Sequence, residues 1–334
     1  MKSGVYIIAE LSANHNNQYD IAERTIRAMK DAGADAVKFQ TFTADSLSLN
    51  VDNEYFGPRK EGLWKGRRPY DLFLEAAMPW EWHKALSEYA MSIGLDWLST
   101  PFDKEAVDFL ETLNIGSYKV ASLEITDTPL IEYIASKGKP MIISTGVAEV
   151  KDIEMALEAC RKQGNNQVSL LKCTSQYPSP IEAANLATIQ DMKNRFGCKV
   201  GLSDHSFGSI VPIVAVSLGA KIIEKHFILD RSLGGPDSGF SMEPAEFRQM
   251  VEDVRNAEKA LGAVTYEVSE KDKQRRRSLF VVKNIRKGEI FTSENVRAIR
   301  PGYGLHPSYL KVIFEKIAKT DIAPGTPLTE ELLE

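Results

Sequence analysis

Two short apolar runs near the middle of the chain, GLSDHSFG (201–208) and IIEKHF (222–227), each end with a histidine. If the two runs are neighbouring parallel strands of a closed barrel, His205 and His226 meet at one rim and form an open divalent-metal site. A nitrogen-rich open site suits Mn2+, Co2+, Zn2+ or Fe2+ better than Mg2+, and a cation there would polarise a carbonyl. Glu224 and Asp204 are candidates for a further ligand or for a carboxylate that orients one. A lone histidine at a strand end equally serves as a backbone cap, but two on consecutive strands favour the metal.

The same placement of polar residues recurs along the chain. Eight β-branched runs, at 5–10, 35–40, 95–100, 117–122, 140–145, 168–173, 198–203 and 221–226, alternate with amphipathic stretches. In YDIAERTIRAMKDAG, for instance, Ile21, Ala22, Thr25, Ile26 and Met29 recur at helical spacing before Gly33 stops the pattern. Eight such repeats predict an α/β fold, a (β/α)8 TIM barrel. The runs deliver Glu10, then Lys38 and Gln40, then Ser99 and Thr100, then Lys119, Ser122 and Glu124 at their C-terminal ends. The later ones bring Ser144 and Thr145, then Thr174, Ser175 and Tyr177, then Ser203, Asp204 and His205, and finally Glu224, Lys225 and His226. In a parallel barrel these ends converge on one mouth.

Lys38, Thr100, Lys119, Ser122, Ser144 and Ser203 combine ammonium groups with short hydroxyl donors, a set that suits a phosphate. Serines and threonines after strands also cap helices. Lys119 is harder to explain that way, because it interrupts an apolar strand where an unpaired charge is costly. Glu10 and Glu124 fit acid–base work or the anchoring of substrate hydroxyls; each fits equally well as half of an ion pair with Lys38 or Lys119.

The frame around these residues is that of an ordinary globular chain of 334 residues, with a net charge of -5 and 43% hydrophobic content. That balance gives no pull toward nucleic acid or anionic membrane, and small molecules are the expected partners. No apolar run is long enough for a membrane span or a signal-peptide core, so the expected location is the cytoplasm. Cys160, Cys173 and Cys198 are odd in number and lack C-x-x-C spacing, which predicts buried reduced thiols. One long insertion, about 43–78, is broken by Gly57, Pro58, Gly62, Gly66 and Pro69, and a loop of that length on the mouth face predicts a wall of the pocket. After Gly262 the helical pattern ends. We read residues 1–268 as the barrel, 269–278 (SEKDKQRRR onward) as a linker and 279–334 as a small second domain.

With these residues in place, the chain resembles the nonulosonate synthases, the sialic acid synthase type enzymes that condense phosphoenolpyruvate with an N-acetylated amino sugar. The resemblance is carried by IIAELSANHN, GADAVKFQT, LSTPFD, YKVASLE, IISTG, LKCTSQYP, GLSDHSFG, IEKHF, GGPDS and IRPGYGLHP, in order through nearly the whole chain. GLWKGRRPYDLF with PWEWH is most similar to the pseudaminic acid synthase branch, which implies a 2,4-diacetamido-2,4,6-trideoxyhexose acceptor. N-acetylneuraminate or legionaminate synthesis is the alternative within the family, and a non-catalytic carbohydrate-binding barrel the alternative outside it. The resemblance implies a C-terminal antifreeze-like (SAF) domain and a domain-swapped homodimer. It implies His205 and His226 as ligands of a divalent metal, Mn2+ first, with Co2+ or Mg2+ as substitutes. It also implies that Lys38, Thr100, Lys119, Ser122, Ser144 and Ser203 hold phosphoenolpyruvate, while Glu10, Tyr177 and Asp237 face the sugar. Gln40 joins the substrate-binding set. Arg300 would reach the N-acetyl group in the neighbouring subunit's site, and Glu124 and Glu224 would act as acid, base or supporting carboxylates. Ser175 stands where sialic acid synthases have Asn, a shorter donor at that point of the site.

Overall fold

Eight parallel strands close into a barrel in chain order: β1 (Tyr6–Glu10), β2 (Ala36–Thr41), β3 (Asp96–Pro101), β4 (Tyr118–Val120), β5 (Met141–Ser144), β6 (Val168–Cys173), β7 (Lys199–Asp204) and β8 (Ile222–His226). This computed structural model describes residues 4–334. The chain divides into two compact units, Met1–Gly262 and Ala263–Glu334.

The two-residue period of a strand explains how an apolar chain segment builds a polar site. Inside the barrel, Ile8, Ala36, Leu98, Ile142, Leu171 and Ile222 pack into one apolar layer. Two residues further along the same six strands stand Glu10, Lys38, Thr100, Ser144, Cys173 and Glu224, all lining one cavity. The alternate residues, such as Ala9, Val37, Val120, Ile143, Val200 and Ile223, join the large core under the surrounding helices. A slip of one residue in any strand would exchange these sets, so burial of the outer core fixes what the mouth presents. The register sets Glu10 opposite both Lys38 and His226, and Ser203 opposite Glu224.

The helices between strands bury one face each. Helix Tyr19–Asp31 buries Ile21, Ala22, Thr25, Ile26 and Met29, and Asp103 caps helix Lys104–Thr112 by accepting from Ala106 N at 2.7 Å. Gly201 is required where β7 meets its neighbours: a Cβ there would lie 2.5 Å from Ile222 O and 2.6 Å from a Leu171 methyl. Two local differences from the sequence expectation stand out. Strand β4 ends at Val120, and Ser122 sits instead in a 3-10 turn, Ser122–Glu124, where its Oγ accepts from Gly146 N at 3.0 Å. The insertion is not featureless, since it forms helices Ala44–Leu47 and Pro69–Ala76.

The second unit has its own small core of Leu279, Val281, Ile285, Phe291, Val296, Ile313, Ala318, Ile322 and Leu328. Its strands β9 (Ser278–Val281) and β10 (Val296–Ile299) pair antiparallel. The charged stretch before β9 contains a short helix, Glu270–Lys273, capped by Ser269. Among the described residues no helix is long and apolar enough to cross a membrane. Cys160 and Cys173 are buried, Cys198 is half-buried, and all three are free thiols.

Two buried histidines away from the mouth carry a pH consequence. His15 and His83 are fully buried, and burial pushes both down to about 4. Folded, they stay neutral; unfolded, they protonate below about 6.5. Stability is therefore intact above pH 6.5 and falls as pH drops toward 4, by about 3 kcal/mol per histidine. Glu124, raised by burial to about 7, contributes the opposite slope, so the comparison must be with a variant. In urea melts, His15→Gln/His83→Gln is expected to lose less stability than the wild type between pH 6.5 and pH 4; equal losses would refute this.

Candidate active site

A cavity of about 390 Å3 opens at the C-terminal ends of the barrel strands. Its floor is a network of buried charges. Lys38 Nζ lies 2.9 Å from Glu10 Oε2 and 2.7 Å from Glu224 Oε1, and Lys119 Nζ lies 3.9 Å from the same Glu224 oxygen. Ser203 Oγ donates to Glu224 Oε1 at 3.1 Å, and Gln40 Nε2 donates to Glu10 Oε1 at 2.8 Å. Lys119 Nζ donates to Ser144 Oγ at 2.6 Å and to Val120 O at 2.8 Å. Each ammonium thus has oxygen partners, which is what permits a lysine 1% exposed inside a barrel.

Burial and partners pull the titrations of these groups apart. Burial works against the charge on Lys38, but Glu10 and Glu224 outweigh it and hold the ammonium above its usual range. At Lys119 burial wins and lowers the pKa. Burial also opposes ionisation of Glu10, yet His226 and Lys38 keep its carboxyl well below the ordinary range. At Glu124 burial outweighs the opposing pull of Lys119. The glutamate's Oε2 is buried without a hydrogen bond, and burial raises the group to about 7, where it can both hold and release a proton near neutrality. Of the two glutamates that sequence alone left between acid–base and ion-pair roles, Glu10 is ion-paired with Lys38, and among the described residues no cation lies within ion-pair distance of Glu124.

On the β7–β8 side the rings of His205 and His226 face each other with centroids 5.2 Å apart. His205 Nδ1 lies 2.9 Å from Thr174 O, which places the proton on Nδ1 and leaves Nε2 a lone pair. His226 Nε2 lies 3.1 Å from Glu10 Oε2, so its other nitrogen carries the lone pair; that Nδ1 is buried and, among the described residues, has no hydrogen-bond partner, with the Asp237 carboxylate 3.9 Å away. Two facing imidazoles, each with its tautomer fixed by an oxygen and one with an orphaned buried nitrogen, fit a divalent cation. Among the described residues no group of three or more His, Cys, Asp or Glu side chains is arranged to hold a metal, so water or substrate would complete the shell. Asp204, a candidate from sequence, faces the opposite side of β7 from Ser203, where it pairs with Lys225 Nζ at 2.7 Å and accepts from Ser206.

Aromatic rings wall this side. The tilted ring of Tyr177 lies 4.3 Å from His205, and Phe240 lies 4.9 Å from Tyr177 and 4.8 Å from His226. Trp64 of the insertion reaches over to within 5.8 Å of Tyr177, and its Nε1 donates to Pro236 O at 2.8 Å.

The structure brings Glu10, Lys38, Gln40, Thr100, Lys119, Ser122, Glu124, Ser144, Ser175, Tyr177, Ser203, His205, Glu224, His226 and Asp237 to the lining of this one cavity. Ser175 Oγ lies 4.0 Å from Cys173 Sγ. Arg300 belongs to the second unit, exposed directly after β10. Sequence reasoning missed Ser12, Cys173, Trp64 and Phe240, which also line the cavity. Cys173 was recoverable, since it lies two residues beyond an inward-facing leucine. Ser12, hydrogen-bonded to the Asp237 carboxylate from 225 residues away, carried no local signal.

Comparison with known proteins places this architecture. The NeuB family profile matches residues 25–266 and the SAF domain profile residues 276–334. Pseudaminic acid synthase of Campylobacter jejuni is 46% identical over 98% of this chain and 96% of its own length. The pseudaminic acid synthase of Helicobacter pylori is 43% identical over 98% and 97%. The crystal structure of N-acetylneuraminic acid (sialic acid) synthetase from Leptospira borgpetersenii superposes with a TM-score of 0.71 at 33% identity, covering 81% of this chain and 90% of that one. Fold and site thus define a (β/α)8-barrel enzyme with a charged mouth. The chain belongs to the NeuB family, the sialic acid synthase type enzymes, and ends in a SAF domain.

Proposed function

We propose that this enzyme condenses phosphoenolpyruvate with the open-chain form of a 2,4-diacetamido-2,4,6-trideoxyhexose, giving a nine-carbon nonulosonic acid of the pseudaminic type and phosphate. The observation that carries the reading is the pair of buried lysines, Lys38 and Lys119, set among hydroxyls beside two facing histidines in a cavity of small-molecule size. The high identity to pseudaminic acid synthases over nearly the full chain favours that acceptor class.

In this reading Lys119, Lys38 and the hydroxyls of Thr100, Ser122, Ser144 and Ser203 hold the phosphate and carboxylate of the donor. Glu10, Tyr177 and Asp237 position the sugar against it, so that C3 of the enol phosphate stands in line with the C1 aldehyde. A divalent cation, Mn2+ or in its place Co2+ or Mg2+, would be held by His205 and His226 and would supply Lewis acidity to the aldehyde oxygen when bound. The new bond forms between C3 and C1, water adds at C2, and the C–O bond to phosphate breaks. Glu124, poised near neutrality with one oxygen unpartnered, is the group best placed to move the proton of that water. Glu224 keeps the two lysines charged and apart.

The test is phosphate release with Mn2+, phosphoenolpyruvate and a panel of 2-acetamido and 2,4-diacetamido hexoses, with mass detection of the product. Turnover is expected to be greatest with a 2,4-diacetamido-2,4,6-trideoxyhexose. A preference for N-acetylmannosamine would replace the acceptor, and no release with any of them would end the reading.

A further inference from the structure

The floor of the cavity is poorly charged for an anionic guest. Besides Glu124, its lining holds the carboxylates Glu10, Glu224 and Asp237 against the ammonium groups of Lys38 and Lys119. Both lysines already have carboxylate neighbours, at 2.9 and 2.7 Å for Lys38 and 3.9 Å for Lys119. Counting side chains alone, a phosphorylated carboxylate entering such a floor meets at least as much negative charge as positive, and a divalent cation at the two histidines would leave only a small positive surplus for a guest that carries two or more negative charges.

One further cation lines the cavity. Arg59 comes from the insertion, and among the described residues no carboxylate lies within ion-pair distance of its guanidinium. Its neighbours in the same loop are committed: Arg67 to Glu75, and Arg68 to Asp71 at 2.7 Å. The position of Arg59 is also built. Its N donates to Arg67 O at 2.9 Å and Gly66 N donates to its carbonyl at 2.8 Å, closing a loop in which Gly62 and Gly66 both adopt φ of +82°. The guanidinium carbon stands 5.5 Å from the centre of the Trp64 ring, and Trp64 is itself fixed by its bond to Pro236 O. An arginine held on an aromatic face keeps its planar fork of N–H donors free for an oxyanion.

We propose that Arg59 is an anion-binding residue of this site, donating at the mouth of the cavity to an oxyanion of the phosphorylated donor and supplying the positive charge that the paired lysines do not. The identity of that donor rests on the synthase reading above; the binding role rests on the charge count and on the unpaired guanidinium.

The experiment compares wild type with Arg59→Met, Arg59→Lys and Lys60→Ala, Lys60 being an exposed cation of the same loop that does not line the cavity. Phosphoenolpyruvate binding is measured by calorimetry with Mn2+ present, and steady-state kinetics are run with each substrate varied. Arg59→Met is expected to weaken phosphoenolpyruvate binding and raise its KM roughly tenfold, the worth of one charged hydrogen-bonding group at an accessible position. The acceptor KM should move by less than about twofold, Arg59→Lys should recover part of the loss, and Lys60→Ala should match wild type. Added salt should shrink the gap between wild type and Arg59→Met. Unchanged phosphoenolpyruvate binding in Arg59→Met, an effect confined to the acceptor KM, or a wild type that binds no phosphoenolpyruvate would each overturn the proposal. A wild type that binds phosphoenolpyruvate through Arg59 but turns over no amino sugar would sink the synthase reading and leave this one standing.

Discussion

Replacing His205 or His226 by alanine is expected to cut phosphate release by roughly a thousandfold while leaving the barrel folded. The size follows from the proposed cation, which as a Lewis acid would contribute several kcal/mol to the stabilisation of developing charge. The retained fold follows from the position of the rings: they top the barrel instead of packing its core, and their neighbours are Tyr177 and Phe240 at the cavity wall. Mn2+ titration by calorimetry or paramagnetic resonance gives a reading independent of turnover, and both variants should bind the ion far more weakly than wild type. Thermal collapse of both variants would assign the pair to structure instead. The His226 variant also tests the homodimer that the sequence resemblance implies. If Arg300 of the partner subunit completes the site, mixing His226→Ala with Arg300→Ala, each inactive alone, restores roughly a quarter of wild-type activity through hybrid dimers with one intact site.

The second large effect is on stability. Lys38→Met leaves Glu10 and Glu224, both 2% exposed, facing each other without the cation between them. Removing one member of a buried charge cluster costs about 3–5 kcal/mol, because the remaining charges lose their compensation but not their desolvation. For a chain of this length that is a fall in Tm of roughly 4–7 °C, visible by calorimetry. The triple variant Lys38→Met/Glu10→Gln/Glu224→Gln should regain most of it, since neutral amides no longer repel. A Lys38→Met protein as stable as wild type would mean that the cluster is not held as described.

The site was readable in the sequence to the extent that strands dictate it. A two-residue period brings Glu10, Lys38, Thr100, Ser144 and Glu224 inward together, and the parallel arrangement collects their ends. The same period also separates Ser203 from Asp204, which removes Asp204 from the mouth. What stayed hidden lies in loops, where no period operates. Trp64 is placed by contacts with Tyr177 and Pro236, Phe240 by contacts with Tyr177 as well as the nearer His226, and Ser12 by a bond to Asp237. The early end of β4 belongs to the same class, because it depends on Ser122 answering the amide of Gly146 across two strands.

The bond from Trp64 Nε1 to Pro236 O joins the loop after β2 to the loop after β8, the two neighbours of β1. It therefore forms an arch above the end of β1, where Glu10 and Ser12 stand. A molecule seated beneath that arch has to arrive and depart by the opposite flank unless the bond opens. The Tyr177 ring 5.8 Å from the indole and the Arg59 guanidinium 5.5 Å from it add to that bond, so the arch rests on more than one contact.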